Sequence, residues 1–214
     1  MDLISRRLLK RLGHMPVVVG IDLRGMPKNP TGWARCEGPS VDSRTAHSDG
    51  EIIELTLEAR PELVSIDAPL SLPRGRVGVS DDSPCRAKGD IVRDAERILW
   101  SRGIRAYPPL IRHMQGLTKR GISLARTLEG AGITVIESYP GAAQDILGIP
   151  RKRLDLNGLR RGLREFGFAT SPDWSHDELD AVTSALVGYF YCADQYEAIG
   201  ADDEGYMIIP RWTA

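Results

Sequence analysis

Three short aliphatic runs in this chain each end in a carboxylate. They are VVGID at Asp22, VSID at Asp67 and VIE at Glu137. Unbroken β-branched runs are typical of strands that are buried on both faces in parallel sheets covered by helices. The carboxyl ends of neighbouring parallel strands meet at one edge of such a sheet, where ligands bind. The pattern therefore predicts an α/β fold with three acids at the ligand-binding edge.

Strand and helix signals alternate along the rest of the chain. TGWARCEG and SVDSRTAH follow the first run as two shorter strand signals, which predicts a three-stranded meander. Ser48 and Glu51 form a capping box that begins a helix, and Pro61 closes it. YMIIP is predicted as an edge strand. Further helices are predicted near residues 91–100, near 122–128, after the turn YPG, near 156–166 and from Ser175 onward. This order predicts an α/β mixed sheet, a meander plus parallel strands, flanked by helices.

Length and composition fit one globular domain. The chain has 214 residues, of which 42% are hydrophobic and 27% charged. We expect a single domain over 16–214 with a loop and helical insertion at about 74–131, preceded by an amphipathic helix over 1–15. No apolar run approaches the roughly 20 residues of a membrane-spanning helix, so we expect a soluble protein without a membrane partner. The three cysteines form no CxxC pair, which fits a reducing cytoplasm.

The stretch SHDELDAV opens a largely apolar helix with three acids. Ser175 and Glu178 form a second capping box, so Glu178 has a structural role. Asp177 lies in the first turn, where the helix dipole also favours a carboxylate, so a structural and a functional interpretation both remain open. Asp180 shares a stripe with small residues that would let the helix lie close to a sheet. The stripe includes Ala181, Ser184 and Gly188. We expect it to carry Asp180, and with it Asp177, toward the strand-end acids.

Any single strand-end acid is explained as well by a loop cap or by solvent contact. Several close carboxylates repel each other, and a cation or a shared proton must offset that cost. Oxygen donors of this kind suit Mg²⁺ or Mn²⁺. We predict Asp22, Asp67, Asp177 and Asp180 as metal ligands and, together with Glu137, as catalytic acids.

Two basic clusters are candidate phosphate-binding surfaces. Residues 151–164 hold six basic side chains and one acid, and a second group surrounds Arg112 and Lys119. We predict Lys152, Arg112 and Lys119 as contacts to a nucleic-acid substrate. A solvated helix face explains such clusters equally well, and the formal net charge of −1 argues against attraction of nucleic acid by the whole chain.

Five motifs, in order, closely resemble domain-of-unknown-function family 429, whose members are labelled predicted RNase H-fold nucleases. They are VVVGIDLRG, VSIDAPLSLP, VIESYPGAAQDILG, HDELDAVTSALVGYFY and EGYMIIP, and they span about residues 16–210. The wider resemblance is to the RNase H-like superfamily, especially RuvC-type resolvases. By position, Asp22 resembles the first-strand acid, Asp67 the fourth-strand acid, and Asp177 and Asp180 the late-helix acids. Glu137 has no certain counterpart and is either an addition of the family or a substrate contact.

The resemblance implies a metal-dependent nuclease that holds two divalent ions about 4 Å apart. The same superfamily contains actin-like ATPases and sugar kinases, so a phosphotransferase or ATPase remains an alternative, as does a non-catalytic module that binds nucleic acid. No GxxxxGK[ST], GxGxxG after a strand, HExxH or GxSxG motif is present. The oligomeric state is not predicted.

Overall fold

The computed structural model describes residue 12 and residues 14–80 and 90–211. Its strands are β1 Val17–Asp22, β2 Thr31–Glu37, β3 Ser40–Ala46, β4 Leu63–Asp67, β5 Thr134–Ser138, β6 Tyr196–Ala201 and β7 Gly205–Pro210. They form one sheet in the order β3-β2-β1-β4-β5-β7-β6. Strand β2 is antiparallel to both β1 and β3. Strand β4 runs parallel to β1, β5 runs parallel to β4, and β7 runs parallel to β5. The predicted mixed sheet of a three-stranded meander plus parallel strands is confirmed.

Helices cover both faces of the sheet. They are α1 Asp49–Ala59, α2 Asp94–Ser101, α3 Gln115–Gly130, α4 Pro140–Leu147, α5 Leu156–Glu165 and α6 His176–Cys192. The side chain of Ser48 accepts a hydrogen bond from Glu51 N at the start of α1, and Ser175 and Glu178 complete a capping box at the start of α6. The capping box at Ser175 is present as predicted, whereas at Ser48 only the N-cap is present, because the side chain of Glu51 accepts from the backbone N–H of His47. None of the described helices combines the length and the apolar character needed to cross a membrane.

The sheet divides the apolar core in two. On one face, Val18, Ala34 and Leu63 pack with residues of α5 and α6. On the other face, Val19 and Ile21 pack under α1 and α3. Because successive side chains of a strand point to opposite faces, the unbroken aliphatic run of β1 supplies both halves of the core.

Some boundaries differ from those that the sequence predicts. YMIIP forms β7, which lies inside the sheet, and the edge is β6, a strand that the sequence analysis did not predict. The sequence of β6, YEAIGA, buries only Ile199, so it lacks the apolar signal of an ordinary strand. Pro140 begins α4 instead of forming a turn, and α3 starts at Gln115. The predicted helix over residues 1–15 lies almost entirely outside the described residues.

Helix α6 lies directly against the backbone of the sheet. A Cβ atom at Gly20 of β1 would lie 1.9 Å from the carbonyl oxygen of Ala181, and one at Gly32 of β2 would lie 2.1 Å from that of Asp177. At Gly188, a Cβ would lie 2.6 Å from Val18. The predicted contact between the small-residue stripe and the sheet is therefore present, and it is made through glycines on both elements.

We expect Gly20→Ala to destabilise the fold by about 3 kcal/mol or more, because the added methyl meets backbone that cannot move aside. Gly130→Ala is the matched control, since a Cβ at this helical position has nothing within 4 Å. Urea denaturation of both variants measures the difference. Equal free energies of unfolding for the two variants would contradict the close contact at Gly20.

Candidate active site

Two acids lie side by side where β1 and β4 end. Asp22 and Asp67 are register partners in this parallel pair, so their side chains point to the same face. Asp22 is 5% exposed. The next position in the same row is Ser138 of β5, which is also buried. The strand-end acids of β1 and β4 are therefore brought together, as the sequence predicts.

The first two turns of α6 bring two more acids to the same place. Asp177 and Asp180 are both buried, and they are held there by the contacts of α6 with Gly20 and Gly32. Gln144 of α4 donates a hydrogen bond of 2.8 Å to Oδ1 of Asp180. The predicted metal ligands thus converge from two strand ends and one helix.

Two basic side chains enter this group of four acids. The guanidinium of Arg24 lies 2.5 Å and 2.6 Å from the two carboxylate oxygens of Asp177. Nζ of Lys152 lies 2.7 Å from Asp180 Oδ2, 3.3 Å from Asp177 Oδ1 and 3.5 Å from Asp22 Oδ2. The group therefore holds four carboxylates against two permanent cations. His176 also contacts Asp177, with Nδ1 2.6 Å from Oδ1.

No N–H or hydroxyl donor among the described residues reaches Oδ2 of Asp22, although its carboxyl group lies within hydrogen-bonding reach of the carboxylates of Asp67 and Asp177. Leaving a buried carboxylate oxygen unsatisfied costs free energy, and native proteins rarely do so without a reason. The nearest cation, Lys152, is 3.5 Å away and closer to Asp180. The position of this oxygen fits a site that is completed by a further cation.

The pKa values of the acids follow their environments. Burial, followed by the charge of Asp67, raises the pKa of Asp22 well above its ordinary value. Burial and the charge of Asp180 raise the pKa of Asp67 to about 7. Burial also opposes ionisation of Asp177, but the hydrogen bond and charge of Arg24 outweigh it and lower its pKa to about 2. Asp177 is therefore neutralised locally, whereas the charge of Asp67 opposes ionisation of Asp22 and a hydrogen bond from Asp22 favours the ionised form of Asp67.

Glu137 lies apart from this group. Its register partner on β4 is Ile66, so it points to the opposite face from Asp67. Its two oxygens accept hydrogen bonds from Arg93, at 2.5 Å and 2.8 Å, and from the backbone N–H of Leu70. Arg93 also binds Glu96, and all three charged side chains are buried. Arg93 thus engages Glu137 on the opposite face of the sheet, while Glu137 also lines the same cavity as Asp67 and its charge contributes to the raised pKa of Asp67. Its predicted catalytic role stays a prediction.

The predicted substrate contacts fall into different environments. Arg112 and Lys119 are exposed, and neither forms an ion pair with another described residue. They flank Met114 and Leu117, which line a cavity of about 70 Å³ beside Asp67. Lys152 is instead held inside the acidic group. The arginines of α5 are engaged locally, for example Arg160 with the carbonyl oxygens of Pro172 and Trp174.

Sequence reasoning did not identify three residues that shape the site. Arg24 follows Asp22 by two positions, and its carbonyl oxygen accepts a hydrogen bond from the buried guanidinium of Arg120. Gln144 and Ser138 are uncharged residues beside the predicted motif acids. Only the proximity of Arg24 to Asp22 in the sequence offered a signal, because the partners of Gln144 and Ser138 are distant along the chain.

The donor set fits a hard divalent ion in its chemistry, since it consists of carboxylates and includes the unpartnered oxygen of Asp22. Within the described ranges, however, no three His, Cys, Asp or Glu side chains form a ready metal-binding group. Mg²⁺ commonly binds through one or two carboxylates with water and substrate phosphate as the other ligands. Asp22 and Asp67 form such a pair.

Comparisons with known proteins place the similarity at the level of fold. No protein-family model matches the chain, so membership of family 429 stays a prediction, and no curated protein matches it. The Thermus thermophilus RuvC structure shares 14% sequence identity and a TM-score of 0.43, over 82% of this chain and 95% of that chain. The yeast mitochondrial Holliday junction resolvase Ydc2 shares 9% identity and a TM-score of 0.43, over 89% of this chain and 83% of that chain. Both similarities are remote, so the roles below depend on the geometry of this chain.

We expect metal-free protein to lose stability as the pH rises from about 4 to about 7 because of Asp67, and Asp67→Asn to reduce that loss. The folded chain keeps a proton on Asp67 in this window, whereas the unfolded chain has released it, so the folded state is favoured at the lower pH. Near pH 8 the variant should be more stable than the unmodified protein by about 1–3 kcal/mol.

Urea denaturation in EDTA across this pH range provides the measurement. Asp173→Asn is the matched control, because Asp173 is exposed and lies outside the acidic group. It should leave the slope unchanged. An Asp67→Asn variant with the full slope would show that Asp67 does not carry this proton.

Proposed function

We propose that this chain is a divalent-metal-dependent nuclease that hydrolyses phosphodiester bonds. The observation that carries the proposal is the convergence of four acids: Asp22, Asp67, Asp177 and Asp180. No N–H or hydroxyl donor among the described residues reaches Oδ2 of Asp22 in this group. Perturbed pKa values from burial and like charge are typical of functional sites. Such an arrangement costs stability, and binding of a cation would offset that cost.

Asp22 and Asp67 would hold the ion, which we propose to be Mg²⁺ or Mn²⁺. When bound, such an ion polarises a phosphodiester and lowers the pKa of a water. The pairing of these two acids along the sheet fixes their separation, because both are on rigid strand ends. Gln144 orients Asp180, and Arg24 orients Asp177, so the helix acids keep fixed positions beside the strand pair.

The surroundings of the acids support a polyanionic substrate. The backbone of α3 approaches Gly25 in the loop that follows Asp22, since a Cβ at Gly116 would lie 2.9 Å from the Gly25 carbonyl oxygen. This contact supports a position for the start of α3, with exposed Arg112 just before it and Lys119 on it, at the border of the proposed site. Tyr107, which is 66% exposed, lines the cavity beside Asp67. We propose that Arg112 and Lys119 contact phosphates and that Tyr107 offers a surface on which a base can stack.

Purified protein should cleave at least one nucleic acid among single-stranded, duplex, RNA–DNA hybrid and branched substrates in Mg²⁺ or Mn²⁺. We expect Asp22→Asn to reduce cleavage by more than about 100-fold, because the substitution removes a charge that the ion requires. Asp173→Asn is the matched control and should retain activity. Cleavage that persists in Asp22→Asn or in EDTA would contradict the proposal.

The double variant Arg112→Gln/Lys119→Gln should bind the cleaved substrate about tenfold more weakly at low salt and show a shallower dependence of affinity on salt, because two phosphate contacts are lost. Fluorescence anisotropy in Ca²⁺ measures both. Arg126→Gln, at an exposed position further along α3, serves as the control. An unchanged salt dependence in the double variant would exclude these two residues from the binding surface.

A further inference from the structure

Lys152 is the counter-ion of one half of the acidic group. Its Nζ contacts carboxylates of Asp180, Asp177 and Asp22 at 2.7, 3.3 and 3.5 Å, and its side chain is 23% exposed. A lysine that serves substrate phosphate would expose its ammonium to solvent. The contacts of Lys152 point inward, to the oxygens that the sequence assigned to metal ions.

The turn that carries Lys152 is fixed on both sides. The guanidinium of Arg151 binds both carboxylate oxygens of Asp145, at 2.8 Å and 2.6 Å, and also the hydroxyl of Tyr139. The carbonyl oxygen of Arg151 accepts hydrogen bonds from the backbone N–H groups of Leu154 and Asp155. The side chain of Asp155 then caps α5 by accepting from Gly158 N. These contacts hold Lys152 in place, so it is a resident part of the site.

The two halves of the acidic group therefore differ in charge. On the helix side, Asp177 has Arg24 and Lys152 as cationic partners, and Asp180 has Lys152 together with the amide of Gln144. On the strand side, Asp67 has no ion pair with a described residue, and the ammonium of Lys152, at 3.5 Å, is the only cation among the described residues that pairs with Asp22. Asp22 therefore lies at the boundary between the two halves, next to Asp67 in the sheet and 3.5 Å from Lys152.

We propose that Lys152 takes the place of one of the two divalent ions that the resemblance implies, so that this chain binds a single divalent ion at Asp22 and Asp67. This inference rests on the proposed function and specifies how that site is built. Two carboxylates, completed by water and substrate phosphate, are a common ligand set for Mg²⁺. Lys152 supplies the second positive charge and keeps Asp177 and Asp180 in position. It is thus a positioning residue and not the substrate contact that the sequence predicts.

The test counts the metal ions bound per chain. Equilibrium dialysis with Mn²⁺, with free ion followed by electron paramagnetic resonance, should give about one ion for the unmodified protein and about two for Lys152→Met. Methionine keeps the unbranched shape of the side chain, one atom shorter, and removes its charge. Arg153→Met is the matched control, because Arg153 is exposed in the same turn, and it should bind about one ion. Asp67→Asn should abolish binding of the single ion.

Thermal unfolding in EDTA shows whether Lys152→Met is folded. The number of ions bound to the unmodified protein tests the inference independently of that variant. Two ions bound to the unmodified protein, with cleavage of nucleic acid intact, would overturn the inference and leave the proposed function standing. A folded Lys152→Met that still binds a single ion would overturn it as well. No ion bound and no cleavage by the unmodified protein would overturn both.

Discussion

The contact of α6 with the backbone of β1 and β2 is the constraint on which the site depends. Gly20 and Gly32 remove the side chains that would otherwise separate the helix from the sheet, and a Cβ at either position would lie about 2 Å from a helix carbonyl oxygen. Only at this distance do Asp177 and Asp180 reach the acids at the strand ends. The same contact buries the carboxylates, and burial is the first cause of the raised pKa values of Asp22 and Asp67. Packing and electrostatics of the site therefore share one origin.

Two groups of acidic side chains in this fold differ in how completely their carboxylate oxygens are hydrogen-bonded. Around Arg93, every carboxylate oxygen of Glu96 and Glu137 accepts at least one hydrogen bond. Such a network is complete within the chain, which makes it a structural element. Around Asp22, two cations face four acids, and one buried oxygen remains without a donor. The incomplete group, which is also the more exposed of the two, is therefore the better candidate for ligand binding.

Much of the fold could be predicted because its signals are local. The β-branched runs of β1 and β4, the capping boxes at Ser48 and Ser175, and the small-residue stripe of α6 all act within a few residues. The edge strand β6 could not be found, because an exposed strand with one buried residue has no apolar pattern. Asp22 and Asp67 were predicted from their positions at strand ends, and Asp180 from the stripe of small residues that it shares on α6. The inward direction of Lys152 was not, because it depends on a turn that Arg151 fastens to Asp145 across a helix end.

The different positions of Glu137 and Asp67 follow from register. Both acids come at the end of an aliphatic run, and from sequence alone they are equivalent. In the parallel pair of β4 and β5, Asp67 lies opposite Ser138 and Glu137 lies opposite Ile66. Because the side-chain period of a strand is two, this offset of one residue turns Glu137 to the other face, toward Arg93. The register position next to Asp22 and Asp67 is thus held by Ser138, and the strand side of the acidic group consists of two carboxylates. These two carboxylates are the ligands that we propose for a single divalent ion, with Lys152 as the proposed cation of the helix side.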